Sequence, residues 1–334
     1  MRLARGSRPS QSRPALIPAP PLAAVLAASA VALGLAPPGA AASEPEPLCG
    51  TGPLEILLTN DDGYEAVGIR ALADALAQAG HRVTLAAPAR NASGSGMSFT
   101  WGEIGVRRVS TSPAAFAVDA SPATAVVLAA TALYPEGRRP DLVVSGINHG
   151  PNDGALLVLS GTIGAALAGT LLLDPPVPGM AVNVGRLNPA EPRDSDAHRS
   201  QFAAAAAHFT RVLGASRGWF CESGHVIRPR SVLNVNYPAL PPRQWRGTVL
   251  SGQDPASDLH VVFEAKGESN GEAAGGTRYA ARLVRSEPPA ARGSDRDGLA
   301  RGYVTVTPIG AALAEAQAPS VAPTRSLARR LRDL

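Results

Sequence analysis

The spacing of apolar residues between positions 54 and 87 is typical first of a strand, then of a helix, then of a second strand. The apolar run Leu54–Thr59 predicts a short buried strand, and it ends at the turn-forming sequence Asn60–Gly63. Apolar residues then recur at helical spacing from Ile69 to Ala79, and the apolar run Val83–Ala87 predicts the next strand. These segments predict one strand–helix–strand unit.

The same alternation continues as far as residue 240. It predicts helices over 121–133, 162–173 and 202–213 and strands over 142–144, 180–184 and 231–235. Strands that alternate with helices form a mostly parallel sheet covered on both faces. We therefore expect a three-layer, Rossmann-like α/β fold, with functional loops at the carboxyl ends of the strands.

The alternation weakens in the C-terminal part of the chain. Two short strand candidates, 260–263 and 279–284, lie in a Gly- and Ala-rich stretch that also carries many charges. They predict an extended β-hairpin or oligomerisation arm, and a disordered loop is the alternative. We expect a single mature domain, 43–334, with an α/β core over 54–240, an arm over 241–310 and a tail over 311–334. The basic end of the tail predicts a solvated helix rather than a membrane contact.

The first 42 residues have the features of a secretory signal peptide. Arginines occur in residues 1–14, an apolar run follows over Leu22–Ala36, and the small residues Ala40 and Ala42 precede Ser43. The apolar run has 15 residues, whereas a membrane-spanning helix needs about 20, so cleavage is favoured over an uncleaved anchor. We therefore predict a periplasmic or secreted protein that has no stable membrane association after cleavage.

The net charge changes once this leader is removed. The full chain has 31 basic and 27 acidic residues, and four of the arginines lie in the leader, which contains no acidic residue. The mature chain is therefore neutral overall, so its charge gives no reason to expect binding to nucleic acid.

The chain has two cysteines, Cys49 and Cys221, and in an oxidising compartment we expect them to pair. Two free thiols are the alternative.

Polar side chains follow three of the predicted strands. Asp61 and Asp62 come directly after the first strand, and two adjacent carboxylates repel each other unless a positive charge lies beside them. Mg²⁺ or Mn²⁺ suits such a pair, although Asp before Gly is also common in ordinary turns. The segments 88–96 and 145–152 follow two other strands and are rich in Gly, Ser and Asn, whose oxygens can complete the shell of a cation.

A third element of the predicted site lies at the start of the Ala-rich helix. Ser160, Gly161 and Thr162 place free N–H groups and two hydroxyls at a helix N-terminus, which favours phosphate binding, although a simple helix cap is the alternative. An acidic metal site and an anion cradle at one sheet edge indicate phosphoryl chemistry.

The motifs occur in a defined order: ILLTNDDG at 56–63, APARNASG at 87–94, PDLVVSGINHGPN at 140–152, SGT at 160–162, LNVN at 233–236 and GYVTVTP at 302–308. Together they resemble the SurE survival-protein family of metal-dependent 5′/3′-nucleotidases, and the resemblance covers about Leu54 to Ile309. It implies hydrolysis of nucleoside 5′- and 3′-monophosphates by a homodimer or homotetramer.

The resemblance also implies roles for individual residues. One divalent ion, Mg²⁺ or Mn²⁺, is expected to bind to Asp61, Asp62, Ser93 and Asn148, with the two aspartates as the catalytic residues. The residues expected to bind the substrate phosphate are Asn60, Gly94, Asn152, Ser160, Gly161 and Thr162.

Four positions depart from the family pattern. Ala89, Leu156, Leu159 and Ala168 stand where the family usually has acidic, amide or Tyr residues. Loss of these polar neighbours predicts broader or slower phosphatase activity, or a binding protein without turnover.

A glycosyltransferase-like domain is a weaker alternative, since little of the chain remains for a second nucleotide-binding half. His149, beside the predicted metal loop, is expected to face solvent, and contact with phosphate is the alternative.

Overall fold

A computed structural model describes residues 46–134, 137–188, 190–257, 259–268, 277–286, 288–310 and 321–334. All of them belong to one compact unit, Glu44–Leu334. The predicted signal peptide, 1–42, lies outside the described residues.

The strands are β1 Glu55–Thr59, β2 Arg82–Pro88, β3 Val106–Thr111, β4 Ala114–Val118, β5 Leu142–His149, β6 Gly179–Val184, β7 Cys221–Glu222, β8 His225–Val226, β9 Ser231–Tyr237, β10 Thr248–Leu250, β11 Leu259–Glu268, β12 Thr277–Arg285 and β13 Val304–Gly310. The α-helices are α1 Val67–Gln78, α2 Pro122–Leu128, α3 Gly161–Leu172, α4 Asp196–Phe220, α5 Asp295–Ala300 and α6 Val321–Arg332. Helix α2 continues as the π-helical turn Ala129–Leu133, and short 3₁₀ turns cover Pro47–Cys49, Gly154–Leu159 and Pro242–Gln244.

Within the described residues, nine strands form the central sheet in the order β10-β13-β9-β6-β5-β1-β2-β4-β3. The strands from β9 through β6, β5, β1 and β2 to β4 pair in parallel, whereas β13 is antiparallel to β9 and β3 is antiparallel to β4. This arrangement confirms the expected mostly parallel α/β fold. Because β1, β2, β5 and β6 are parallel, the loops that follow them lie at one edge of the sheet.

The two faces of the sheet bury alternate residues of the same strand. In β1, Ile56 and Leu58 pack with α1, α4 and α6, whereas Leu57 packs on the other face with α2 and α3. This is the period of two that a strand imposes on its side chains, and it shows that helices cover both faces. The three predicted layers are therefore confirmed.

The C-terminal helix α6 was expected to be solvated, and that interpretation is wrong for its apolar side. Leu327 and Leu331 are fully buried and join the core cluster that contains α4. The two leucines are four residues apart and so lie on one face, while the arginines of the last turn provide the polar remainder.

Several elements were not predicted from the sequence. Strand β3 is polar and lies at the sheet edge, and β4 is an alanine-rich five-residue strand, so neither shows a strong apolar alternation. Strand β13, beyond the predicted core, pairs with β9 within the central sheet. Helix α4 begins six residues before the predicted start, because Ser195 caps it by accepting a hydrogen bond from His198 N.

The predicted C-terminal hairpin is confirmed. Strands β11 and β12 pair antiparallel and form a separate two-stranded sheet. Its side chains Phe263, Tyr279 and Leu283 are all more than 60% exposed.

Among the helices of the described residues, none combines the length and the apolar character needed to cross a bilayer.

A disulfide joins the N-terminal segment to the end of α4. Cys49 and Cys221 are bridged with a Cα–Cα distance of 5.6 Å, which confirms the predicted pairing. The buried Arg217 guanidinium donates to three carbonyl oxygens of the same N-terminal segment, those of Pro47, Leu48 and Gly52, at 2.5 to 3.1 Å. The segment is therefore held by one covalent bond and three charge-assisted hydrogen bonds.

Candidate functional site

The turn after β1 is closed by Asn60. Its Nδ2 donates to Gly63 O at 2.9 Å, and Gly63 N donates to its Oδ1 at 3.2 Å. Gly63 has φ of +105°, which an L-residue with a side chain rarely adopts. Both ends of the Asn60 amide therefore shape the turn that carries Asp61 and Asp62, and its expected role in phosphate binding stays a prediction.

Asp61 lies against the start of α3. Its Oδ1 accepts a hydrogen bond of 2.7 Å from Thr162 Oγ1, and its side chain is almost fully buried. Gly161 approaches so closely that an added Cβ would lie 2.7 Å from Asp61 Cβ and 2.7 Å from Ser95 Oγ. The structure therefore brings Asp61, Gly161 and Thr162 together, although they are about 100 residues apart in the chain.

The start of α3 serves as a capped helix end as well. Ser160 Oγ accepts a hydrogen bond of 3.1 Å from Ile163 N, so the capping interpretation of Ser160 is confirmed. One turn further on, Gly164 allows the loop after β2 to pack on the helix, since an added Cβ would lie 2.2 Å from Gly96 O. This close packing places the Ser- and Gly-rich loop beside the helix N-terminus.

Asp62 also lies close to several groups, and only 6% of its side chain is exposed. His149 N donates to its Oδ2 at 3.0 Å, while Asn91 Nδ2 at 3.3 Å and Arg193 Nη1 at 2.6 Å both donate to its Oδ1. Sequence reasoning missed Arg193, because it lies in a loop that carries no motif. Its position just before a helix that follows a parallel strand was the one available signal.

The two remaining predicted metal ligands lie beside residues that bond to the aspartates, Ser93 in the loop after β2 and Asn148 near the end of β5. Ala92 N donates to Asp61 O at 2.7 Å, and Ser93 N donates to Asn91 Oδ1 at 3.0 Å, so the backbone that leads into Ser93 is held. Asn148 Nδ2 donates to Gly150 O at 2.8 Å, which turns its amide oxygen away from that carbonyl. Gly94, with φ of +80°, completes the turn of the Ser93 loop.

Asn152 lies in a network of asparagines at the ends of β6 and β9. Its Nδ2 donates to Asn183 Oδ1 at 2.7 Å, and its N donates to Asn236 Oδ1 at 2.9 Å. Its carbonyl oxygen accepts from the amides of Asn234 and Asn236 at 2.8 and 3.0 Å. The network fixes the loop that leads to α3, and the predicted contact between Asn152 and phosphate remains a prediction.

The expectation that His149 faces solvent is wrong. Its side chain is buried at 8% exposure, with its ring centroid 4.6 Å from that of His198 and 5.6 Å from that of Phe202. Burial, together with the neighbouring His198, Arg186 and Arg193, lowers the pKa of His149 to about 4. His198 and Phe202 both belong to α4, so the His149 imidazole at the end of β5 packs against that helix.

The electrostatics of the Asp61 carboxyl favour a cation beside it. Burial raises its pKa above the usual range, the hydrogen bond from Thr162 opposes that rise, and the charge of Asp62 adds to it. The described residues contain no group of three or more His, Cys, Asp or Glu side chains suited to a metal. A cation at this edge would therefore depend on two carboxylates completed by neutral oxygens.

The residues present fit such a cation. Ser95 Oγ is buried beside Gly161 and has no hydrogen-bond partner among the described residues. Carboxylate, hydroxyl and amide oxygens are the ligands that Mg²⁺ and Mn²⁺ prefer. The observed donor set is therefore oxygen-rich and suited to a hard divalent ion.

The departures from the family pattern lie in different surroundings. Ala168 is fully buried in the core between α3 and the sheet, away from the surface of the site. Leu159 O accepts a hydrogen bond of 3.0 Å from Gly96 N, and its side chain is 44% exposed beside the even more exposed Val158. The approach to the α3 N-terminus is therefore lined by aliphatic side chains.

Comparisons with known proteins agree with this geometry. The family model described as survival protein SurE matches residues 56–257. The 5′-nucleotidase SurE of Actinobacillus pleuropneumoniae serotype 5b (strain L20) is 36% identical over 264 residues, which cover 77% of this chain and 93% of the relative. The protein of that name from Thermosynechococcus vestitus (strain NIES-2133 / IAM M-273 / BP-1) is 32% identical over 265 residues, covering 77% and 90%.

A solved structure shows the same fold. The crystal structure of the SurE protein from Aquifex aeolicus has a TM-score of 0.59 and 29% identity, and it covers 78% of this chain and 95% of its own. The ordered motifs, the parallel sheet and these matches lead to one conclusion: the chain belongs to the SurE survival-protein family.

Proposed function

We propose that this protein is a divalent-metal-dependent nucleotidase that hydrolyses nucleoside 5′- and 3′-monophosphates to nucleoside and phosphate. One observation carries the proposal. Asp61, the first carboxylate of the pair after β1, lies directly against the N-terminus of α3, with Thr162 Oγ1 2.7 Å from Asp61 Oδ1. Relatives named 5′-nucleotidase SurE, which match most of the chain, support the nucleotidase activity.

Asp61, Asp62, Ser93 Oγ and Asn148 Oδ1 are the groups that would hold the cation. When bound, Mg²⁺ or Mn²⁺ supplies Lewis-acid activation of the phosphate ester and of the attacking water. Thr162 holds the Asp61 carboxylate in one orientation, and His149 N holds that of Asp62. The two carboxylates therefore face the site without having to reorganise when the cation binds.

The N-terminus of α3 supplies the phosphate-binding groups. Ser160 Oγ already accepts from Ile163 N, and the N–H of Gly161 has no acceptor within the helix, whereas the backbone N–H and the hydroxyl of Thr162 both act on the Asp61 carboxyl and lower its pKa. The α3 helix has twelve residues, so its dipole places partial positive charge at this end. An anionic ester bound there would lie next to the carboxylate-held cation.

The test is a comparison of Asp62→Asn with wild type and with Asp74→Asn, which changes an exposed carboxylate on α1. Released phosphate is measured with 5′-AMP and 3′-AMP in Mg²⁺, Mn²⁺ and chelator. We expect chelation to abolish activity and Asp62→Asn to lower the rate by about 10²-fold or more, whereas Asp74→Asn keeps it. Near-normal, chelator-resistant activity of Asp62→Asn would refute the metal assignment. Cation and phosphate binding without turnover in wild type would favour a binding protein.

We also propose that the mature protein is periplasmic or secreted and begins at Ser43. The bridge between Cys49 and Cys221 supports this location, because disulfides persist in oxidising compartments. N-terminal sequencing of the exported protein tests the cleavage site, and an intact leader on membrane-extracted protein would contradict it.

The β11–β12 hairpin supports assembly into a homodimer or homotetramer. Its apolar side chains, among them Phe263 and Leu283, are exposed in the isolated chain. Light scattering coupled to gel filtration measures the mass, and a monomer at micromolar concentration would contradict this proposal.

A further inference from the structure

Arg193 pairs with one of the two aspartates at the site. Its Nη1 lies 2.6 Å from Asp62 Oδ1, and 54% of the Arg193 side chain is exposed while only 6% of the Asp62 side chain is. The arginine therefore reaches from the surface to an almost buried carboxylate. Asp62 Oδ2 accepts a hydrogen bond from His149 N, whereas Oδ1 accepts the short bond from Arg193 and a longer one, 3.3 Å, from Asn91 Nδ2.

The backbone that carries Arg193 is fixed on both sides. Ser195 N donates to Pro192 O at 3.1 Å, the ring of His198 contacts the same carbonyl through Nδ1 at 2.8 Å, and Ser195 caps α4. The long side chain is thus the part that can move, and it can leave Asp62 without moving the loop.

A cleft adjoins this ion pair. It has a volume of about 220 Å³, and Asp62, Gly68, His149, Arg193 and Phe202 are among its lining residues. The guanidinium therefore lies between the Asp62 carboxylate and an open cleft.

We infer that Arg193 and the divalent cation exchange at Asp62, and that the displaced guanidinium then binds the phosphate group of the substrate. This inference rests on the proposed metal-dependent function. A carboxylate oxygen that ligates a divalent ion faces a concentrated positive charge, and a guanidinium on the same oxygen would be repelled by that charge. The arginine would therefore leave Asp62 Oδ1 when the cation binds.

The freed guanidinium has a suitable new partner. Its planar set of N–H donors matches the oxygens of a phosphate. Because the fixed backbone keeps Arg193 beside Asp62, the released guanidinium would remain next to the cation that Asp62 holds and to an anion bound by that cation. Arg193 thus pairs with Asp62 in the metal-free protein and contributes to substrate binding once the cation is bound.

The experiment measures binding rather than turnover. MnCl₂ is titrated by calorimetry into metal-free wild type, Arg193→Gln, Arg193→Lys and Arg199→Gln, and inorganic phosphate is then titrated into each Mn²⁺-loaded protein. Arg199 is the matched control: its side chain is 56% exposed, and it lies 3.6 Å from Asp194 rather than on Asp62. Melting temperatures of all four proteins verify folding.

We expect Arg193→Gln to bind Mn²⁺ about fivefold more tightly, since the competing ion pair is lost. We expect the same variant to bind phosphate about tenfold more weakly once it is loaded, since one charge-assisted contact is lost. Arg193→Lys keeps the charge but not the planar donor set, so its phosphate affinity should lie between those of wild type and Arg193→Gln. Arg199→Gln should match wild type in both titrations.

Unchanged or weaker Mn²⁺ binding by Arg193→Gln would overturn the exchange. Unchanged phosphate affinity in that variant would overturn the substrate-binding role, as would an equal effect of Arg199→Gln on both titrations. If wild type binds no Mn²⁺, the proposed metal-dependent function itself fails. If wild type binds Mn²⁺ and the variants bind it equally well, only the inference about Arg193 fails.

Discussion

Replacing Gly161 by Ala tests whether the close contact between α3 and Asp61 is needed for activity. An added Cβ would lie 2.7 Å from Asp61 Cβ, 2.7 Å from Ser95 Oγ and 2.9 Å from Asp61 Oδ2. Gly161 is the first residue of α3 and is not among the glycines with positive φ, so alanine fits the backbone. The effect of the substitution would therefore come from crowding alone.

The size of the effect follows from these distances. Ordinary contact begins near 3.4 Å, so Asp61 and the new methyl group must separate by about 0.7 Å. A displacement of about 1 Å at a reacting centre can cost about 10²-fold in rate, so we expect kcat/KM to fall by about 30- to 100-fold. The overpacking should also cost about 1–3 kcal/mol in the free energy of unfolding.

Released phosphate from 5′-AMP in saturating Mn²⁺ gives the rate, and urea unfolding gives the stability. Gly214→Ala is the matched control, because Gly214 lies within α4 and an added Cβ there meets nothing within 4 Å. We expect the control to keep full activity and to gain stability of up to about 1 kcal/mol from helix propensity. Activity of Gly161→Ala within about twofold of wild type would refute the reasoning that Asp61 must keep its observed position.

Two further predictions concern stability. Replacing both Cys49 and Cys221 by Ser should lower the free energy of unfolding by about 3–5 kcal/mol in urea titrations, since the bridge closes a loop of 172 residues, and a loss under about 1 kcal/mol would contradict it. Burial lowers the pKa of His208 to about 4 in the folded protein, whereas an unfolded histidine has a pKa of about 6.5. Between about pH 6.5 and 4 the imidazole is therefore protonated in the unfolded chain but neutral in the folded one, so the free energy of unfolding falls as the pH drops through this range. His208→Gln should remove up to about 3 kcal/mol of this loss in urea midpoints measured across that range, and an unchanged pH profile would argue against a buried neutral imidazole.

Local patterns along the chain determined much of the fold and of the candidate site. The apolar run before Asn60 and the helical spacing after it predicted β1 and α1, because side-chain period and turn chemistry act over a few residues. The Ser160–Thr162 segment was placed correctly at a helix start for the same reason. Parallel strands also place the loops that follow them at one edge, so the meeting of Asp61 with Thr162 was foreseeable in outline.

Other features depended on contacts between distant parts of the chain. Arg193 is 131 residues from Asp62, and no local motif indicates that the two side chains meet. His149 was expected in solvent, but α4 covers it with His198 and Phe202, which only the packing of that helix on β5 decides. The place of β13 within the sheet, beside β9, likewise follows from strand pairing rather than from its own sequence.

The sequence by itself determined the order of elements, the carboxylate pair, the helix-start hydroxyls and the family, since each depends on residue types at short and fixed spacing. The tertiary structure decided which donor each carboxylate oxygen accepts from, which histidine is buried and which arginine reaches the site. Those outcomes depend on side-chain packing and charge pairing between residues from 29 to 131 positions apart, where small differences in loop path decide which groups touch.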